Sequence, residues 1–429
     1  MKILVKNARL IDPARGVDEV GDILIDKGKI VRAGGKIKDA SAKEIDASGK
    51  IAAPGFIDMH THLREPGRED AETVASGIEC AVRGGFTTVC AMPNTTPTCQ
   101  TAADARFLIE KGEKTGKGHV LPIGAITKDR KGEEITEMVE LKEAGCVAVS
   151  DDGDPLKEAG IARRAMEYAA MCGMLVISHC EDKSLSGEGV MHEGYWSTVL
   201  GLSPIPAASE TTIVERDISI AELAGAELHI AHVSCSESVD IIRNAKARGA
   251  KVTAEATPHH FSLSDEEVKT FDTNFKVNPP LRTKKDIEAI KKGLKDGTID
   301  VIATDHAPHP ENEKQKEFDH APFGMIGLET ALSTAVKELV DKKYLSWPEL
   351  IGKLTANPAK ILGYERGNLA EGSWADIVII DPEKEWTYNR EEIRSLSSNS
   401  PLIGKKMKAK VICVIVDGKV VLEEGEKDR

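Results

Sequence analysis

The chain predicts an α/β protein: a (β/α)8 TIM-type barrel carrying a small β-sandwich domain built from both chain ends. Three observations carry this. Eight apolar or β-branched runs recur through the middle of the chain, segments of helical periodicity separate them, and both ends alternate polar and apolar residues over short stretches instead.

At the start, "KILVKNARLID", "DILIDKGKIVRAG" and "KEIDASGKI" are short alternating segments broken by Gly and Asp, the pattern of strands and tight turns. The eight runs follow: "GFIDMHTH" (55–62), "TTVCAMPN" (87–94), "HVLPIGAIT" (119–127), "CVAVSDD" (146–152), "LVISHCED" (175–182), "ELHIAHVS" (227–234), "KVTAEATPHH" (251–260) and "VIATDHAPH" (301–309). Between them lie helical segments such as "SESVDIIRNAKARG" and "KKDIEAIKKGLKDG", which end in Gly as a C-terminal cap. The count of eight favours a barrel over a doubly wound sheet. The last stretch returns to strands, "ADIVIIDPEKEWTY" and "AKVICVIVDGKVVLEEG", the second turning at Asp417-Gly418. The expected division is therefore 1–52 with 365–429 as the small β domain, and 53–364 as the barrel.

Composition bounds the function. A net charge of −13 gives no basic field for nucleic acid or an anionic membrane, so an anionic ligand needs local positive groups. Eight scattered cysteines without a C-x-x-C pair read as free thiols in a reducing cytosol. Neither an export signal nor a membrane span is expected, and the chain reads as cytoplasmic.

The strand ends carry the chemistry, because the C-terminal tips of barrel strands converge on one mouth. Read in order they present His60 and His62, Asn94, Asp151 and Asp152, His179, His232, His259 and His260, then Asp305. His60 and His62 are two apart on a strand and so share a side. With His179, His232 and Asp305 from other tips they form a set suited to Zn²⁺ or a similar divalent ion. His259 and His260 are expected to support that set rather than to ligate. His119, His192, His229 and His320 read as surface or structural, and His306 as pointing away from the side of Asp305. The long, charged segment "APHPENEKQKEFDHAPFG" after the eighth run reads as a lid, mobile without ligand, that carries His309 to the substrate.

"GFIDMHTHLREPG", "AMPNT", "SDDG", "SHCED", "AHVS", "KVNPPLR" and "ATDHAPH" stand in the order of the blocks of a known family. The chain resembles the cyclic amidohydrolases, and within them the class I dihydroorotases. That resemblance implies that His60, His62, Asp152, His179, His232 and Asp305 surround one or two Zn²⁺ ions, with Asp305 as the proton carrier. It also implies that Arg64 and Asn94 hold the substrate α-carboxylate, that Asn278 contacts the ring, and that His309, Phe323 and Gly324 close over it.

The implied reaction is the reversible cyclisation of N-carbamoyl-L-aspartate to L-dihydroorotate with loss of water, the third step of pyrimidine synthesis. The alternatives are a hydantoinase or allantoinase, and an inactive dihydroorotase-like scaffold. Many amidohydrolases carry a carboxylated lysine at the end of the fourth strand, where "CVAVSDDGD" has none. That absence, with Arg64 beside H-x-H, favours the dihydroorotase reading. A homodimer and a complex with aspartate transcarbamoylase are the assemblies implied.

Overall fold

The computed structural model describes residues 2–425. Its centre is a parallel eight-stranded sheet made of Phe56–Thr61, Phe86–Ala91, His119–Gly124, Ala148–Val149, Leu175–Ser178, Leu228–Ile230, Val252–Ala256 and Val301–Ile302, paired in chain order. These are the eight runs read from the sequence. The sheet closes on itself, because Thr61 bridges His306 in parallel and His62 N donates to His306 O at 2.9 Å.

Each strand alternates, as a barrel requires. Ile57, Cys90, Ile123, Ala148, Ile177, Ala231 and Val301 form one cluster. Their neighbours Phe56, Val89, Val120, Val149, Val176, Ile230 and Ile302 join another, shared with the surrounding helices. The seventh strand differs: its Ala254 and Ala256 join the helix-side cluster, while Glu255 between them turns to His60 and His229.

The intervening helices start and stop where local chemistry dictates. Val74–Gly84, Ala102–Thr115 and Lys284–Asp296 begin on Thr73, Thr101 and Thr283, each accepting from the backbone N–H three residues on. The helices over Val74–Gly84, Ala102–Thr115, Ala159–Cys172, Ala208–Ala224 and Lys284–Asp296 end at left-handed glycines.

The chain ends build a second eight-stranded sheet from Ile3–Asp12, Val17–Asp26, Lys29–Ala33, Lys43–Asp46, Ile51–Pro54, Ile377–Thr387, Lys406–Val416 and Lys419–Glu423. The expected sandwich is thus one hydrogen-bonded sheet rather than two separate ones. It curls: Gly28, in the turn before Lys29–Ala33, lies against Asp417 and Gly418, although three strands separate those two hairpins in the sheet order. Lys43 likewise reaches Glu423 at 3.0 Å. Ile3, Ile23, Ile45, Ile377 and Ile415 meet in its apolar cluster.

Residues expected in this second unit also reach the barrel: Ile11, Val378, Val411 and Val414 join the helix-side cluster. Residues 393–400, between Ile377–Thr387 and Lys406–Val416, run to the barrel mouth, where Ser395 bonds Glu72 and Ser397 Oγ donates to Ala71 O at 2.7 Å.

Asp58 ties the barrel seam. Fully buried in the first strand, it accepts from Thr304 Oγ1 at 2.6 Å and Thr304 N at 3.1 Å, at the end of the eighth. Asp58→Ala leaves both donors buried without a partner. Chemical denaturation of this variant is expected to show a loss of about 3 kcal/mol; an unchanged midpoint would remove Asp58 from the closure.

Candidate active site

Strand geometry delivers the ligand set, and local strain aims it. Among the residues with positive φ that are not glycine are Arg64 at 61°, His232 at 30° and Asp305 at 47°, each just past the end of a barrel strand. Such conformations cost roughly 1–3 kcal/mol each and persist where the surroundings over-determine them. Here they end the pleat and turn side chains across the mouth.

His60 lies deepest. Its Nδ1 meets Glu255 Oε1 at 2.7 Å, which leaves Nε2 facing Asp152 and Asp305 oxygens, both at 3.5 Å. His62 Nε2 meets Asp305 Oδ1 at 2.9 Å, and its Nδ1 meets Asn94 Oδ1 at 2.9 Å. His179 Nδ1 lies 2.8 Å from His232 Nε2 and 3.6 Å from Asp152 Oδ1. Asp152 therefore stands between the two pairs of imidazoles. Asp151 turns away, accepting from Ile126 N at 2.8 Å and Thr127 N at 3.0 Å.

The electrostatics call for a cation. Burial disfavours a charged His60, but Asp152, Glu255 and Asp305 outweigh it and hold its pKa well above the usual histidine value. Burial also works against charge on Asp152 and Asp305, yet His60 and its neighbouring imidazoles bring both carboxylates well below their ordinary range.

The donor chemistry fits a divalent metal ion. His60 with His62 and Asp305, and His60 with Asp152 and His232, each bring one ligand atom apiece within 4.8 Å of one another. His60 Nε2, Asp152 Oδ1 and His232 Nδ1 are buried without a hydrogen-bond partner. Neutral imidazole nitrogen and carboxylate oxygen are what Zn²⁺ and similar ions take. A third such group, His119 with Asp376 and Asp417, lies outside the mouth; there Arg366 Nη1 already bridges the two aspartates at 2.5 and 2.9 Å.

Above this set opens a cavity of about 420 Å³. His62, Asp152, His179, His232 and Asp305 line its floor side, and Arg64, Asn94, Asn278, His309, Phe323 and Gly324 line it too. The structure thus brings to one cavity the residues that the resemblance implies for metal and substrate, with His60 beneath the cavity wall. Arg64 Nη2 lies 3.3 Å from His309 Nε2, and its Nε donates to Pro308 O at 3.1 Å. Burial lowers its pKa to about 10, so it is charged at neutral pH. Asn278 Nδ2 donates to Glu181 Oε2 at 3.1 Å.

Among the supporting histidines, His260 bonds Thr257 Oγ1 and Pro279 O, while His259 Nε2 is buried without a partner. His306 turns from the cavity to Glu72 at 3.3 Å. The segment read as a lid lies folded at the mouth: Lys314 Nζ donates to Pro322 O and Gly324 O at 2.9 and 3.0 Å, and Lys276 Nζ to Phe318 O and Asp319 O at 2.7 and 3.0 Å.

Sequence reasoning missed Glu255. It accepts from His60, from His229 at 3.1 Å and from His232 N at 3.2 Å, and so fixes the His60 tautomer. The available signal was an acid inside the apolar run "KVTAEAT".

A closed eight-stranded barrel with imidazoles and carboxylates gathered at the C-terminal mouth defines a metal-dependent hydrolase of the amidohydrolase class. Comparison with known proteins agrees. Residues 49–238 match the family described as Dihydro-orotase-like, and 286–422 the Amidohydrolase family. The chain is 53% identical to a dihydroorotase of Pelotomaculum thermopropionicum, covering 99% of both chains, and 52% identical to one of Geobacter metallireducens, covering 98% of this chain and 99% of that one. The L-hydantoinase of Arthrobacter aurescens superposes with a TM-score of 0.89 at 26% identity, over 100% of this chain and 97% of that one. The chain belongs to the dihydroorotase family.

Glu255→Gln keeps the size of the side chain but cannot accept from His60 and His229 as a carboxylate does. Chelator competition is expected to show metal affinity reduced about 10–100-fold, with the fold retained by circular dichroism; unchanged affinity would make Glu255 a packing residue only.

Proposed function

We propose that this chain catalyses the reversible cyclisation of N-carbamoyl-L-aspartate to L-dihydroorotate, the third step of pyrimidine synthesis. The observation that carries the reading is Arg64. A charged guanidinium stands in the cavity wall beside His309, across from the imidazole–carboxylate set. The substrate of this reaction carries a carboxylate next to the ring amide, and a guanidinium offers paired donors to it. A ring lacking that carboxylate, as in hydantoinase chemistry, has no use for such a group.

We take His60, His62, Asp152, His179, His232 and Asp305 as the residues that hold one or two Zn²⁺ ions. When bound, such an ion polarises a carbonyl and acidifies water. The chain's own groups do the rest. Arg64 and Asn94 grip the α-carboxylate, Asn278 meets the ring, and His309 with Phe323 and Gly324 covers it. Asp305, ionised and aimed into the cavity, takes the proton from the attacking water in hydrolysis and returns it to the leaving nitrogen. In the biosynthetic direction the proton moves the opposite way.

The resemblance extends the proposal to a cytoplasmic enzyme, a homodimer and a complex with aspartate transcarbamoylase; light scattering of the purified chain, alone and mixed with that enzyme, reads the two assemblies. No helix among the described residues is long and apolar enough to cross a membrane.

Arg64→Lys keeps the charge and loses the fork. The KM for dihydroorotate is expected to rise about tenfold or more while bound metal stays constant, and an unchanged KM would take Arg64 out of substrate binding. Asp305→Asn still offers an oxygen to a metal but cannot accept the water's proton. It should keep much of its metal and lose turnover at least ~10²-fold, whereas His60→Ala should lose metal and activity together. An active Asp305→Asn enzyme would mean that the proton leaves by another route.

A further inference from the structure

The last barrel loop is held from outside the barrel. Asn399 belongs to the 393–400 segment, between two strands of the chain-end sheet, and is 3% exposed. Its Oδ1 accepts from His309 N at 3.1 Å, and its Nδ2 donates to Ala307 O at 3.0 Å and Gly324 O at 3.1 Å. Its backbone O accepts from Ile326 N at 3.1 Å. The amide orientation is unambiguous, because a flipped side chain would set its oxygen against two carbonyls and its NH₂ against an N–H.

These bonds join the two ends of the loop. Ala307 and His309 lead out of the eighth strand, and Gly324 and Ile326 lead back in, with the 310–323 excursion between them. Gly324 packs so closely that a Cβ there would stand 2.7 Å from Ala307 Cβ, at a φ of 129° that only glycine adopts readily. With the backbone of His309 fixed by Asn399, its ring reaches Phe323 O at 2.8 Å and Arg64 Nη2 at 3.3 Å. An unbroken chain of contacts therefore runs from Asn399 through His309 to the guanidinium.

We propose that Asn399 is a positioning residue for the reaction: by clamping Ala307, His309 and Gly324 together it sets the loop that covers the substrate and the placement of His309 beside Arg64. This rests on the dihydroorotase reading for the identity of the substrate, but not for the clamp itself. Asn399 touches no reacting atom. The carboxylate of Asn399→Asp keeps the acceptor for His309 N and sets oxygens against the two carbonyls. Asn399→Ala removes all three side-chain bonds without burying a charge.

The test uses the metal-loaded full chain as wild type, Asn399→Asp, Asn399→Ala, His309→Ala and the Asn399→Ala/His309→Ala double variant, assayed on dihydroorotate. The KM is expected to rise ~10-fold or more in both Asn399 variants, with bound metal as in wild type and kcat changed less than KM. Acting in part through His309, Asn399→Ala should add less to the loss caused by His309→Ala than it costs by itself. A double variant whose loss is the product of the two single losses, or an Asn399→Ala enzyme with wild-type KM, overturns the proposal. Amide hydrogen exchange keeps the two readings apart. Residues 307–324 should exchange faster in Asn399→Ala even if the wild-type chain failed to turn over dihydroorotate, which would sink the substrate reading alone; unchanged exchange there would sink the clamp.

Discussion

Everything at the barrel mouth follows from placing Asp152, Glu255 and Asp305 around His60 where water hardly reaches: the three carboxylates are 4%, 0% and 7% exposed. Several buried anions without positive charge would cost several kcal/mol apiece. The chain answers with imidazoles from the first, fifth and sixth strands, and the same arrangement is a site for a divalent ion. His229 and the His232 N–H complete the shell of Glu255, so the anions are hydrogen-bonded as well as neutralised.

That cluster can be assembled only if the barrel is closed, since its members come from strands that meet across the seam. Thr304, held by Asp58, immediately precedes Asp305, and His306, bridged to Thr61, immediately follows it. Asp305 is thus fixed on both sides by first-strand contacts. Left-handed backbone at Arg64, His232 and Asp305 then turns these side chains to their tasks. Strain of this kind is affordable because a large apolar core, inside and outside the strand ring, holds the termini of every strand.

The two halves of the molecule are joined by more than sequence continuity. Ser395 and Leu396 N bind Glu72, whose other partners include His306 and Ser76, and Asn399 binds the loop that returns to the eighth strand. A segment from the chain-end sheet thereby braces the loops after both the first and the last strands, the same loops that supply Arg64 and His309.

The sequence by itself determined the eight barrel strands, the chain-end strands and the imidazoles and carboxylates at the strand tips, because alternation and strand-tip residues are local signals that survive without coordinates. The run "GFIDMHTHLREPG" already announced two imidazoles and a guanidinium at one tip. Glu255 was legible only as an acid in an apolar run, since its partners His60 and His229 lie on other strands and no spacing links them. The curl of the chain-end sheet and the route of residues 393–400 were likewise decided by tertiary structure, through contacts such as Gly28 on Gly418. The lid shows the same division. Its length and charge marked it as a lid, while the carbonyl partners of the buried ammonium groups of Lys276 and Lys314 and of the amide of Asn399 come together only once the chain has folded.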